Sequence, residues 1–336
     1  MLQTIADKSV FHEAIPELPM SKYAHFVLLR ETNSYPLFQT DGELNLARVS
    51  TGLAPDNHDP MSRIVIFKRK QSTPERLTGR ELLRAHGVIV ASKQEQDAGK
   101  GRHCEYNSAD FCKECPDCIL YGFAIGAMGS ERSKVLVDSA FSLTGYDESH
   151  EQMTFNAPFE TGTMGKAGVM KTAIGEQDHV RPQVYFPAVV TLKDPTEAGF
   201  LYVFNNILRT KRYGAQSTRT GTVNNHVLAV IFADGEIFSN LKLSQKVTDL
   251  LQARGQFDPP LRFADVRQAM AEAISDLLAD DGVVAQVYDG ERLTALLEEV
   301  NGIVSDGGKL AGLINQITTE ARQYAERYGV LSGSKK

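Results

Sequence analysis

All four cysteines of the chain lie close together, as Cys104 and then Cys112-Lys-Glu-Cys115-Pro-Asp-Cys118, with His103 beside the first. A two-residue spacing lets successive thiolates face one ion, and four thiolates close a tetrahedral zinc shell with no position left for water. The expected chemistry is therefore structural: a bound Zn2+ supplies folding free energy to a segment too polar to fold by burial. His103 is an alternative to Cys104 as the fourth ligand. Repeated Cys-x-x-Cys also serves iron-sulfur clusters, but no Cys-Pro follows at the ferredoxin spacing. Uncoordinated or redox-active thiols are a third reading, and a disulfide suits a reducing compartment poorly.

A second set of residues can hold phosphates. Arg209, Lys211, Arg212 and Arg219 fall in a loop, Arg209 to Gly221, that contains no acid. In that loop Gly214 and Gly221 let backbone amides approach an anion, and Tyr213 can stack on a base. The bland alternative is a solvated turn whose cations favour the end of the preceding helix. Lys68, Arg69 and Lys70 after an apolar run form a second cationic cluster, unless they only guard a strand edge. The glycine-rich stretch Gly162 to Gly168 lacks the spacing of a Walker loop. Neither a Gly-x-Ser-x-Gly elbow nor a His-Glu-x-x-His pair is present, so no catalytic constellation is expected.

The elements that must position these residues show in the apolar periodicity. Tyr23 to Arg30 reads as a buried strand, and Leu37 to Pro60 as a long loop or small excursion. Arg63 to Phe67 is a further strand, and Thr78 with Glu81 marks the start of a short helix that Gly87 ends. Lys134 to Leu143 and Val184 to Leu192 read as strands, with Pro187 placing part of the second at an edge or bulge. Asp194, Pro195 and Glu197 look like the capped start of a helix that carries Phe200, Phe204 and Ile207, and Val227 to Phe232 is the strand after the basic loop. Strand, helix, loop, strand is half of a ferredoxin-like unit. From Ser244 onward three apolar stripes recur at helical spacing, and ordinary core packing explains them.

The chain has 336 residues and a formal charge of −6. That average hides a lopsided distribution. Met61 to Arg102 carries ten Lys and Arg against four Asp and Glu, whereas Gly255 to Lys336 carries thirteen acids and eight bases. Such polarity is expected where one face meets phosphates and another meets solvent or a partner. No apolar run approaches the roughly 18 residues of a membrane span, and no secretory signal is read at the start, so the cytoplasm is the expected compartment.

Cys112-Lys-Glu-Cys-Pro-Asp-Cys-Ile-Leu-Tyr-Gly122 resembles the cysteine-rich segment that precedes a Leu-Tyr/Phe-Gly in CRISPR-associated backbone proteins. Arg212-Tyr-Gly-Ala, followed by Thr218-Arg-Thr-Gly221, resembles their glycine-rich RNA-contacting loop. The likeness is greatest to the type I-D Cascade backbone subunit of the Cas-seven group and runs from about Ser21 to Leu243. It implies an α+β fold with a ferredoxin-like, RRM-like core in residues 1–243. Large insertions interrupt that core, a zinc-binding one at about 93–130 and a thumb-like one at about 145–182, and a helical C-terminal region, 244–336, packs on it. Within the stretch from Phe155 to Arg181, Met164, Lys166, Met170 and Lys171 are the expected contacts of a hairpin reaching across the RNA of a neighbouring subunit.

The function implied is that of a non-catalytic scaffold in antiviral defence. Copies polymerise along a CRISPR guide RNA and present it to target DNA, so that base pairing carries specificity while protein grips the backbone. The implied partners are the guide RNA, target DNA by way of the guide, further copies of the chain, and Cas-five-type and large Cascade subunits, with no membrane. Type III relatives cut target RNA with an aspartate after the first strand. Asp41, Asp56 and Asp59 occupy that stretch here, so a metal-dependent target-RNA endonuclease is the alternative.

Overall fold

The computed structural model describes residues 2–126, 129–156, 158–160, 162, 165–166, 169–170, 174–218 and 220–330, with backbone alone for 165–166, 169–170 and 174. The main elements run, in chain order, β1 (Tyr23–Thr32), β2 (Leu46–Ser50), β3 (Pro60–Ile66), α1 (Lys68–Ala85), α2 (Pro116–Leu120), β4 (Val135–Val137), β5 (Ala140–Gly145), β6 (His150–Asn156), β7 (Ile174–Val180) and β8 (Tyr185–Lys193). There follow α3 (Glu197–Arg209), β9 (Val223–Ala233), α4 (Asn240–Ala253), α5 (Phe263–Asp281), β10 (Ala285–Tyr288), α6 (Gly290–Val304) and α7 (Gly307–Arg327).

Five strands form the central sheet in the antiparallel order β4-β8-β1-β9-β10. Side chains on a strand alternate between faces, and β1 uses that alternation to feed two cores. Ala24, Phe26 and Leu28 enter one core with Phe186, Val190, Val230 and Phe232. Val27 and Leu29 enter the other with Tyr185, Val189 and Ile231. The first face is covered by α3, α6 and α7 through Phe200, Phe204, Leu296 and Ile317, the second by α4 and α5 through Val247, Leu251, Val266 and Met270. The C-terminal stretch is thus not helical throughout, since it contributes β10 to the sheet. Read without β10, the sheet order and the connections β1-α1-β4-β8-α3-β9 are those of a β-α-β-β-α-β unit.

A three-stranded sheet, β5-β3-β2, stands beside this layer. Among the described residues β6 and β7 pair only with each other, as a hairpin in which β6 is mostly exposed and β7 ends in buried His179 and Val180. Among the described residues no helix is long and apolar enough to cross a membrane.

Three local expectations are corrected. The helix expected from Thr78 begins at Lys68, with Pro74 inside it. An interior proline costs about 3 kcal/mol, but tertiary bonds hold this turn in place. Gln71 donates to the carbonyls of Ile66 and Asp138, and Glu75 pairs with Arg30. The run from Lys134 to Leu143 splits into β4 and β5, which join different sheets. Asp194 does not cap α3: Thr196 does, accepting from Gly199 N–H, while the Asp194 carboxylate accepts from the amides of Met20 and Lys22. Pro187 lies where β8 has β1 on one side and no β4 partner opposite, a position that needs no second ladder bond.

Candidate metal centre and nucleic-acid groove

Two short strands start the cysteine site. Ile89–Val90 pairs in parallel with Arg102–His103, and Cys104 N–H then donates to the Val90 carbonyl. The chain returns through Lys113, whose φ of 66° turns it sharply, so that Cys115 lands at the N-terminus of α2 and Cys118 in its first turn. Cys104 Sγ is 3.7 Å from that of Cys118 and 4.0 Å from that of Cys115, and the Cys112 and Cys118 sulfurs are 3.9 Å apart. All four sulfurs lie within 4.8 Å of one another. A tetrahedron with zinc-sulfur bonds of about 2.3 Å has edges of about 3.8 Å, so the four sulfurs fit a thiolate-bound ion of that size. His103 is not one of the set: it groups instead with Glu105 and Asp110.

The thiols of this cluster do not ionise alike. Hydrogen bonds from Cys112, Cys115 and Cys118 hold the Cys104 thiol far below its ordinary range. Burial pushes Cys115 well up, and hydrogen bonding to Cys104 and Cys112 does the same for Cys118. Facing sulfurs tolerate little negative charge between them, and a divalent cation is what lets all four ionise. Asp117, fully buried between Pro116 and Cys118, accepts from Arg76 and Arg80 of α1 at 2.7 and 2.6 Å. Arg80 also donates to Cys104, to its sulfur at 3.4 Å and its carbonyl at 2.7 Å.

The two cationic clusters meet in one groove of about 950 Å³, although some 140 residues separate them in the chain. Lys68, Arg69 and Lys70 form the first turn of α1 and do not guard a strand edge. Arg209, Lys211 and Arg212 line the same groove, and among the described lining residues only Glu81 carries a carboxylate. Among the described residues none of these six cations makes an ion pair. Two are held by neutral partners: Arg209 donates to Asn205 and to the last carbonyl of α6, and Arg212 to the carbonyls of Thr220 and Ser217. Phe67 and Leu77, 41% and 37% exposed, add an apolar strip along the same wall as the lysines.

Other expectations for this loop need correction. Tyr213 is fully buried, so it has no face to offer a base. Its hydroxyl donates to Glu75 at 2.9 Å and accepts from Asn225 at 2.7 Å, and the Arg30 guanidinium lies 4.7 Å from its ring centre. Gly214 is required by backbone crowding, with φ at +90°: a Cβ there would stand 2.4 Å from the Leu37 carbonyl oxygen. Arg219, Lys171 and Met164 lie outside the described residues, as do the side chains of Lys166 and Met170. The backbone of Lys166 pairs with Val169 in a short ribbon beyond β6 and β7. That hairpin touches the groove loop midway along β7, where Gln216 donates to Gln177, which itself donates to Gln39. Asp41 sits at φ 56° in a tight turn, and neither it nor Asp56 nor Asp59 belongs to a metal-ligating group among the described residues.

Sequence reasoning missed the polar network beneath the groove and the clamp around Asp117. A signal for the first existed: Arg30 shares the parity of Ala24, Phe26 and Leu28, so it had to point into a core and find a partner there. Arg76 and Arg80 are spaced to share a helix face, but only once α1 is known to extend that far.

A protein-family comparison matches residues 10–313 to the family described as Csc2 Crispr. No curated protein matches the chain. The crystal structure of Thermofilum pendens Csc2 superposes with a TM-score of 0.61 at 17% identity, covering 97% of this chain and 98% of that one, a likeness of fold. A chain of a CRISPR RNA-guided surveillance complex aligns over 88% of this chain and 99% of its own at 12% identity, with a TM-score of 0.45 too low to argue from.

Proposed function

The chain belongs to the Csc2 Crispr family, and from that premise and the basic groove we propose that it is an RNA-binding backbone subunit of a type I-D Cascade effector complex. Copies line up along a CRISPR guide RNA and display it to target DNA, next to Cas-five-type and large subunits, in the cytoplasm. The observation that carries this reading is the meeting of Lys68, Arg69 and Lys70 with Arg209, Lys211 and Arg212 in one groove with a single acid. Six cations without carboxylate partners among the described residues are an unfinished electrostatic site, and a ribose-phosphate strand completes it. The β-α-β-β-α-β unit serves as a ferredoxin-like core, and the β6-β7 hairpin as the base of a thumb. The cysteine centre is read as a structural Zn2+ site, closed by Cys104, Cys112, Cys115 and Cys118. The subunit is read as non-catalytic, as the resemblance to type I backbone subunits implies; among the described residues Asp41, Asp56 and Asp59 belong to no group of metal ligands.

Two measurements test this. The purified chain is expected to bind single-stranded RNA with an affinity that falls steeply from 50 to 200 mM salt, and to leave complementary RNA intact in the presence of a divalent ion. Salt-independent binding would remove the phosphate-gripping reading, and periodic cuts would replace the scaffold by the endonuclease. Metal analysis is expected to return one zinc per chain and no absorbance near about 400 nm, where a cluster would absorb.

A further inference from the structure

Helix α1 touches both sites. Its first turn gives Lys68, Arg69 and Lys70 to the groove. Two turns further, about 12 Å along the axis, Arg76 and Arg80 grip the cysteine segment. Arg76 holds Asp117 with two parallel bonds of 2.7 and 3.0 Å and donates to the Gly122 carbonyl at 2.7 Å. Its guanidinium stands over the rings of Tyr106 and Phe111, at 4.9 and 5.5 Å. Arg80 bridges Asp117 and Cys104.

Asp117 is flanked by the segment that carries Cys115 and Cys118, so its place depends on where those two sulfurs are held. A buried carboxylate shared by two arginines moves with them as a unit, because separating buried partners leaves an uncompensated charge. From this geometry we infer that metal at the cysteine centre sets RNA affinity by fixing α1, with Asp117, Arg76 and Arg80 as positioning residues. The inference rests on the groove being the RNA site. Loss of the ion frees α2, slackens the clamp and lets the first turn of α1 drift from the register in which its cations face the strand.

The test measures metal content, circular dichroism and anisotropy of labelled single-stranded RNA on the full chain. Stripping the parent with a chelator is expected to lower RNA affinity about tenfold, an ordinary size for coupling between sites, and zinc alone restores it. Arg76→Met keeps every cysteine and the Arg80 contact to Cys104. It is expected to retain one metal per chain yet bind RNA about tenfold more weakly, and to lose less on chelation than the parent does. Full affinity in a stripped, folded parent overturns the coupling. Should chelation unfold the whole chain, Arg76→Met decides alone, and unchanged affinity in it is the overturning result. Joint replacement of Lys68, Arg69 and Lys70 by alanine separates the two ideas: if that variant keeps full affinity, the groove reading falls and takes the coupling with it.

Discussion

Replacing Lys68, Arg69 and Lys70 together by alanine is expected to weaken single-stranded RNA binding about a hundredfold at 0.1 M salt, and to flatten the plot of log affinity against log salt by about two units. Both figures come from counterion release, at about 0.7 of an ion per phosphate contact on a single strand. Stability should not fall. Lys68 and Arg69 are exposed, and none of the three pairs with an acid among the described residues. Cations in a first turn also sit at the unfavourable end of the helix dipole, so a melting temperature equal to or above the parent's is expected. Such a cluster gives up local stability and is understandable as a binding device. A thermal scan beside an RNA titration at four salt concentrations reads both. An unchanged salt slope would show that the strand lies elsewhere.

The other large effect concerns the network under the groove. Arg30 and Glu75 are both fully buried, 2.8 Å apart, and joined to Gln71, Asn225 and Tyr213. Glu75→Leu leaves the Arg30 charge without its carboxylate, and removal of one buried partner costs about 3–5 kcal/mol. Urea unfolding is expected to show that loss as a lower midpoint. Arg30→Met combined with Glu75→Leu should recover most of it, since an apolar pair of similar volume is often neutral. If the single and double variants unfold at the same midpoint, the pair is not acting as a unit. Tyr213 and Asn225 tie the network to the loop of Lys211 and Arg212, so the network also shapes the groove wall.

Much of this architecture was legible along the chain. The strands β1, β8 and β9, the helix α3 and the three C-terminal stripes follow from apolar periodicity. Val266, Met270, Ile274 and Leu277 are buried, as are Leu310, Leu313, Ile317 and Ala321. The start of α1 was not legible, because Thr78 and Glu81 look like a capped start, while the turns before them are sustained by bonds of Gln71 and Glu75 to residues outside the helix. Asp194 misled for a related reason. Its carboxylate suits a cap, but its positive φ and its bonds to Met20 and Lys22 give it a different task.

The cysteine spacing and the parity of each strand are short-range properties, carried by residues a few places apart, and the sequence alone determined them. Which cations share a groove, which tyrosine is buried and which arginines steady Asp117 are settled by elements distant in the chain. Tyr213 and Arg212 are neighbours, yet one lies in a core and the other at the surface. That choice is made by Arg30, Glu75 and Asn225, three residues of other elements that meet the tyrosine only after the sheet has formed and α1 has packed on it. Long-range pairing selects a partner from the whole fold, and only the tertiary structure could decide it.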